Sequence, residues 1–360
     1  MSRYHGTMTA VQRSVWLSAL ASVAPGRPLR EGLDRILKAQ IGALVVVGDG
    51  PDVLNICSGG FLLDAAFSPQ RLGELAKMDG AIILAPDASR IARANVHLVP
   101  NPNVPTSETG TRHRTAERVA RSIDVPVLSV SEDQRTTSLY LRDVKHPLSP
   151  TSRLLDKANQ ALATLRRYRE RLDRQAAELT IREIENVVTI RDVVDLLQVI
   201  EAHERIAIEL EREIVELGVD GHMVDLQATE LTTGVTELRA LVLADYEHDE
   251  MAAPEEVLEA LAELPVSQLS DDDAVARVLN IAGVADLDRS LSPRGYRQLS
   301  VEPLLTTTLV DTLVENFGGL QKVLGATTED LVNVGGLDTE RAAAVRDGIL
   351  RLSQNLPRQF

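Results

Sequence analysis

The chain has 360 residues, so two or three domains are expected, and with aromatics at 3% their cores must be built from Leu, Val, Ile and Ala. Its formal charge of −15 excludes a general nucleic-acid coat and leaves room only for local phosphate contacts. One cysteine, Cys57, excludes an intrachain disulfide and a multi-cysteine zinc site, and no apolar run reaches the ~18 residues of a membrane span. The stretch Val11 to Ala24, punctuated by Gln12, Arg13 and Ser14, suits an amphipathic helix better than a signal peptide, so a soluble, cytoplasmic protein is expected. Arg30 to Ala39 has helical spacing, with Leu33, Ile36 and Leu37 on one face. The run from Gly42 to Gly48 is apolar and bounded by glycines, as a buried strand is. Asp49 to Asp52 is a turn, and Val53 to Cys57 is expected to return as a paired strand. Gln70 to Met78 is a helix candidate. Gly80 to Ala85 and Ala92 to Val99 follow as strands around the turn Pro86 to Ser89. Pro100 to Thr109 is a loop, Thr111 to Ser122 a helix, and Val125 to Val130 and Ser138 to Arg142 are strands. Residues 1–148 therefore read as an α/β domain, a mixed sheet flanked by helices.

From Pro150 the texture changes to apolar residues at helical spacing on a charged background, as in Leu154, Ala158, Ala161, Leu165 and Leu172. Thr180 to Glu183 and Thr189 to Asp192 look like capping-box starts. The charged face of Arg166, Arg167, Arg169, Glu170 and Arg171 is most simply solvated surface, although such helices also serve self-association. Ser270 is expected to cap a helix whose first turn carries Asp271 to Asp273, rather than these carboxylates forming a metal cluster. Ser292 to Arg297 reads as a tight basic turn. Residues 149–300 are thus an all-α linker or spine, and residues 301–360 a further helical domain with bends at Gly318-Gly319 and Gly335-Gly336.

Two segments carry the chemistry. Thr111-Arg112-His113-Arg114-Thr115 sits at a predicted helix start, where free backbone N–H groups favour anions and two guanidiniums and two hydroxyls add donors for phosphate. The plainer alternative is that these arginines form surface ion pairs. Neither GxxxxGK[ST] nor GxGxxG is present, so a P-loop and a Rossmann site lack support. Asp79-Gly80-Ala81 places a carboxylate and a flexible residue before an apolar run. That carboxylate could bind a divalent cation or orient a hydroxyl, or be a turn residue only. Ser129 and Ser131 end a strand and could add hydroxyls to the same site.

These segments resemble the DGA and RHR motifs of diadenylate cyclase domains. Ser58 to Phe61 and Ala94 to Pro100 are similar to other segments of the family. With the helical spine and a Gly-rich hairpin near the C-terminus, the whole chain resembles the DisA-type diadenylate cyclases. The resemblance implies condensation of two ATP into cyclic di-AMP with release of two pyrophosphates. It implies that Asp79, Arg112, His113 and Arg114 are catalytic, and that Gly80, Leu98, Thr111, Arg112, His113, Arg114, Thr115 and Ser131 line the nucleotide site. It further implies Mg²⁺ or Mn²⁺ near Asp79 and Ser131, and a homo-octamer in which two sites meet face to face.

Val334 to Ala342 resembles a helix-hairpin-helix turn, which contacts DNA phosphates through backbone N–H groups. Gly335, Gly336 and Arg341 are the DNA-binding candidates, with branched DNA as the implied partner and no membrane role. Asp338 stands where a second Gly is common, and residues 301–360 hold five basic and eight acidic side chains. A nucleotide-sensing junction scaffold without turnover, and a nucleotidyl transferase with another acceptor, are the competing expectations.

Overall fold

The computed structural model describes residues 10–248, 251–280, 286–335 and 338–354. The chain divides into two compact units, Met1–Gln160 with Leu210–Leu226, and Ala161–Glu209 with Gln227–Phe360.

The first unit holds α1 (Ala10–Ser22), α2 (Pro28–Lys38), β1 (Ala43–Val47), α3 (Pro51–Asn55), β2 (Cys57–Ser58), β3 (Phe61–Ala66), α4 (Pro69–Leu75), β4 (Ala81–Leu84) and β5 (Arg90–Leu98). It continues through α5 (Thr111–Ile123), β6 (Val127–Ser131), β7 (Thr136–Leu141) and β8 (Val144–Pro147). The sheet order is β2-β5-β4-β1-β6-β7-β8, with β3 also paired to β5. Only β1 and β4 run parallel, and the other pairs are antiparallel, which gives the mixed sheet expected. The central strands Ala-Leu-Val-Val-Val and Ala-Ile-Ile-Leu are apolar at every position because both faces are covered. On one face Leu20, Leu33, Ile36 and Leu72 of α1, α2 and α4 pack on Val45, Ile82 and Leu128. On the other, Ala116, Val119 and Ala120 of α5 pack on Leu44, Val46, Ile83 and Val127.

One expectation fails here, and two strands went unread. Val53 to Cys57, expected as a strand, is mostly the short helix α3, because Pro51 at its first position fixes a helical φ. Residues 61–66 and 144–147 are strands that no alternation announces: β3 is exposed at nearly every position, and β8 ends in Pro147.

In the second unit the strands give way to helices, as expected. α6 (Thr151–Glu185) and α7 (Ile190–Leu217) are long, and each crosses the boundary between the units. α8 (His222–Thr232), α9 (Val235–Asp245), α10 (Pro254–Glu263), α11 (Val266–Leu269), α12 (Asp272–Val278) and α13 (Tyr296–Leu299) follow. The chain ends in α14 (Thr307–Phe317), α15 (Leu320–Gly325), α16 (Thr328–Gly335) and α17 (Thr339–Gln354). Leu172, Leu197, Val242, Leu261 and Val275 share one core, and Leu313, Val323, Leu331 and Ile349 another.

Thr189 caps α7 as expected, its N–H and Oγ1 both donating to Asp192. Thr180 does not start a helix. It lies inside α6, where its hydroxyl bonds the Ala176 carbonyl. The cap of α12 is Asp271, which accepts from the Asp273 N–H, whereas Ser270 ends α11. Ser292 to Arg297 is more than a basic turn. Arg297 is buried and bonds Glu183, also buried, at 2.5 Å, while Asp245 accepts the backbone N–H groups of Gly295, Tyr296 and Arg297. Burial and the Glu183 charge push the Asp245 carboxyl up to about 7.

Candidate functional site

The sequence-predicted residues of the first unit converge on one end of the sheet. Asp79 and Gly80 precede β4, and β4 is parallel to β1, so Gly42 before β1 lies at the same end. Ala81 pairs with Val96, so Leu98 finishes β5 there. Ala43 pairs with Val130, so Ser131 finishes β6 there as well.

α5 starts at this end. Its N-cap is Gly110, with no side-chain cap, so the N–H groups of its first turn are not taken up by a capping side chain. Arg112 Nη2 donates to Asp79 Oδ1 at 2.9 Å, which joins the two motifs directly. The Asp79 side chain is 93% exposed, so its carboxylate stays open to a cation or hydroxyl despite the ion pair. Arg112 leans over Gly42: a Cβ built there would stand 2.6 Å from Arg112 Nη1 and 3.5 Å from the Val130 carbonyl oxygen. Gly42 is therefore part of the guanidinium seat, and nothing in its sequence context marks it.

Gly80 has a comparable reason. A Cβ there would lie 2.5 Å from the Asn95 carbonyl carbon. Asn95 has φ +55, and the β4–β5 register shifts between Ala81 and Ile83. The glycine of the Asp-Gly-Ala motif thus lets the chain pass against a bulge in β5.

His113 is half-buried against the Tyr140 ring, edge-on with centroids 6.4 Å apart. Burial pushes its imidazole below the usual range. Glu108 opposes the shift, and Lys145 and Arg112 add to it. Thr111 and Arg114 are exposed, and the Thr115 hydroxyl donates to the Thr111 carbonyl. Leu98 is buried. Ser131 is buried at the strand end, its Oγ accepting the Gln134 N–H. Ser129 shares its strand face, and its fully buried Oγ has no hydrogen-bond partner among the described residues.

The loop before α5 is pinned from two sides. Glu117, buried, accepts from Thr106 Oγ1 and from the Ser107 N–H. Burial pushes the Glu117 carboxyl up, but the bonds from Thr106 and Ser107 and the Arg121 charge outweigh it and hold it below the usual range. Arg118 and Arg121, the other arginines of this helix, donate to the loop carbonyls of Val104 and Pro105. Glu108 and Tyr140 were not legible as site residues: they lie 32 residues apart in sequence and only the fold joins them.

Among the described residues no group of three or more His, Cys, Asp or Glu side chains could hold a metal ion. A cation at Asp79 and Ser131 would take its remaining ligands from phosphate and water, the habit of Mg²⁺.

In the second unit Gly335 ends α16 and Arg341 lies exposed in the first turn of α17, while Gly336 lies outside the described residues. Asp338 has a local structural role: its Oδ1 accepts the Arg341 N–H, as an N-cap does.

The sequence profile described as "DisA bacterial checkpoint controller nucleotide-binding" matches residues 30–144, and "DisA bacterial checkpoint controller linker region" matches residues 148–287. The "DNA integrity scanning protein DisA" of Frankia casuarinae is 48% identical over 95% of this chain and 96% of its own length. The chain belongs to the DisA family. Relatives of the same name from Kineococcus radiotolerans and Streptomyces coelicolor are 49% and 46% identical over 93% and 94% of this chain, covering 94% and 92% of their own lengths. As a DisA family member with the diadenylate cyclase domain, the chain is a diadenylate cyclase, as its two motifs implied. No helix among the described residues is long and apolar enough to cross a membrane.

Proposed function

We propose that this cyclase closes cyclic di-AMP between two copies of the site just described, each holding one ATP. The observation that carries the reading is the Asp79–Arg112 pair at an uncapped helix start. Thr111 to Thr115 bind the triphosphate through N–H groups, hydroxyls and guanidiniums. Gly80 and Leu98 line the nucleoside side, and Ser131 the phosphate side. Asp79 orients the ribose 3′-hydroxyl and accepts its hydrogen bond. Each 3′-hydroxyl oxygen attacks the α-phosphorus of the facing ATP, its proton passing to the Asp79 carboxylate and on to solvent, while the bond from that phosphorus to the bridging oxygen breaks; two phosphodiester bonds form and two pyrophosphates leave. Arg112, His113 and Arg114 stabilise the charge that builds on the departing phosphates. Mg²⁺ or Mn²⁺, when bound beside Asp79 and Ser131, supplies Lewis-acid neutralisation of that charge.

One site cannot close the ring, so self-association belongs to the mechanism, with a homo-octamer as the expected assembly. We take residues 1–148 as the cyclase domain, 149–300 as the helical linker, and 301–360 as a helix-hairpin-helix domain that meets branched DNA in the cytoplasm. Gly335, Gly336 and Arg341 are its DNA-contacting residues. Several copies in one assembly offset the weak charge of each hairpin.

Subunit mixing tests the two-site mechanism. Wild type exchanged with inactive Asp79→Asn should lose activity faster than the wild-type fraction falls, because each product needs two intact sites. A fall strictly proportional to that fraction would contradict it.

A further inference from the structure

Beneath the first turn of α5 lies a group of side chains that triphosphate binding leaves unused. Tyr140, in β7, is 1% exposed. Its ring meets His113 edge-on at 71°, and its hydroxyl donates to Glu108 Oε1 at 3.2 Å. Lys145 Nζ donates to the same oxygen at 2.6 Å and stands 5.7 Å from the Tyr140 ring centroid. Burial and the Glu108 carboxylate push the Tyr140 phenol up, so its O–H remains a donor. Glu108 stands two residues before Gly110, the N-cap of α5. A few residues earlier, Glu117 holds Thr106 and Ser107. The chain therefore enters α5 from a fixed point, and the ring below His113 is fixed by the same contacts.

We propose that Tyr140 and Glu108 are positioning residues for the nucleotide: the Tyr140 ring sets His113, and its hydroxyl, through Glu108, fixes the uncapped start of α5. The inference rests on reading that helix start as the triphosphate site. Donors held in place before the ligand arrives lose less freedom on binding, so the set acts first on nucleotide affinity. His113, shielded by the ring and flanked by Lys145, Arg112 and Glu108, then presents an N–H without needing a charge.

The test uses the full-length protein, three variants of the group and one control variant. Tyr140→Phe keeps the ring and loses the hydroxyl, Glu108→Gln weakens the hold of Tyr140 and Lys145, and Tyr140→Leu removes ring and hydroxyl together. Tyr140→Phe and Glu108→Gln should raise KM for ATP roughly 3- to 10-fold, the effect of one lost hydrogen bond, with kcat within about 2-fold. Tyr140→Leu should lower kcat as well, because His113 loses its support. Asp124→Asn, at the far end of the same helix beside Arg142, should leave both constants alone. A lower melting temperature or active fraction with KM unchanged in Tyr140→Phe and Glu108→Gln would mean a packing role only and would overturn the inference. ATP binding by calorimetry separates the two claims. If wild type forms no cyclic di-AMP, the catalytic reading fails. The positioning inference then stands or falls on whether Kd for ATP weakens in the same variants.

Discussion

Asp79 and Arg112 lie 33 residues apart in the chain and 2.9 Å apart in the fold. One comes from the turn before β4 and the other from the first turn of α5, and together they place a carboxylate beside a guanidinium fork that we propose binds phosphate. Lysine at 112 supplies charge and donors but not the planar, pre-organised fork, so it holds Asp79 and phosphate in a less defined geometry. Arg112→Lys should raise KM for ATP by about tenfold or more, a difference on the order of 1.4 kcal/mol, read by steady-state kinetics.

The two close glycines separate activity from stability. At Gly42 an added methyl meets the far end of a flexible side chain, Arg112 Nη1 at 2.6 Å. Gly42→Ala should displace the guanidinium and cut kcat/KM on the order of tenfold, while unfolding free energy changes by less than about 1 kcal/mol. At Gly80 the methyl meets the Asn95 backbone, which cannot swing away. Gly80→Ala should cost roughly 1–3 kcal/mol of folding free energy, measured by chemical denaturation.

Glu117 gives the first unit a defined acid sensitivity. Its carboxyl lies below the usual range when folded, so the folded state binds its proton less readily than the unfolded chain. The stability it contributes is present above the unfolded value of about 4.3 and is lost as pH falls through the folded value. Glu117→Gln should melt earlier than wild type at pH 7, and the gap should narrow as pH drops below about 4, by calorimetry across pH.

Much of the first unit was legible because its central strands and flanking helices obey simple periods. Ala43–Val47 and Ala81–Leu84 are continuous apolar runs, and Leu33 and Ile36 fall on one helical face. Phe61–Ala66 escaped notice because it is an exposed edge strand with no inward and outward alternation. Thr180 imitated a helix start inside a 35-residue helix, since a capping pattern has no meaning where the backbone N–H is already bonded. The motif residues announced themselves by composition. Gly42, Tyr140 and Glu108 did not, because their roles come from register and packing across distant strands.

Asp338 sets a limit on the C-terminal hairpin. It caps α17 through the Arg341 N–H, yet it also puts a negative charge beside the proposed DNA contact. Asn caps as well as Asp and carries no charge. Asp338→Asn should therefore leave the melting temperature nearly unchanged and tighten binding to four-way junction DNA, read by fluorescence anisotropy over a salt series. Unchanged or weaker binding would remove this hairpin from the DNA interface.

Mass analysis of the nucleotide product, after incubating the purified protein with ATP and Mg²⁺ or Mn²⁺ beside an Asp79→Asn control, tests the central claim most directly. Asp79 is 93% exposed, so the control should fold as wild type does. Cyclic di-AMP from wild type and none from the folded control is the predicted result. Intact ATP from the wild type, or cyclic di-AMP from both proteins, would contradict the reaction or the role of Asp79 respectively.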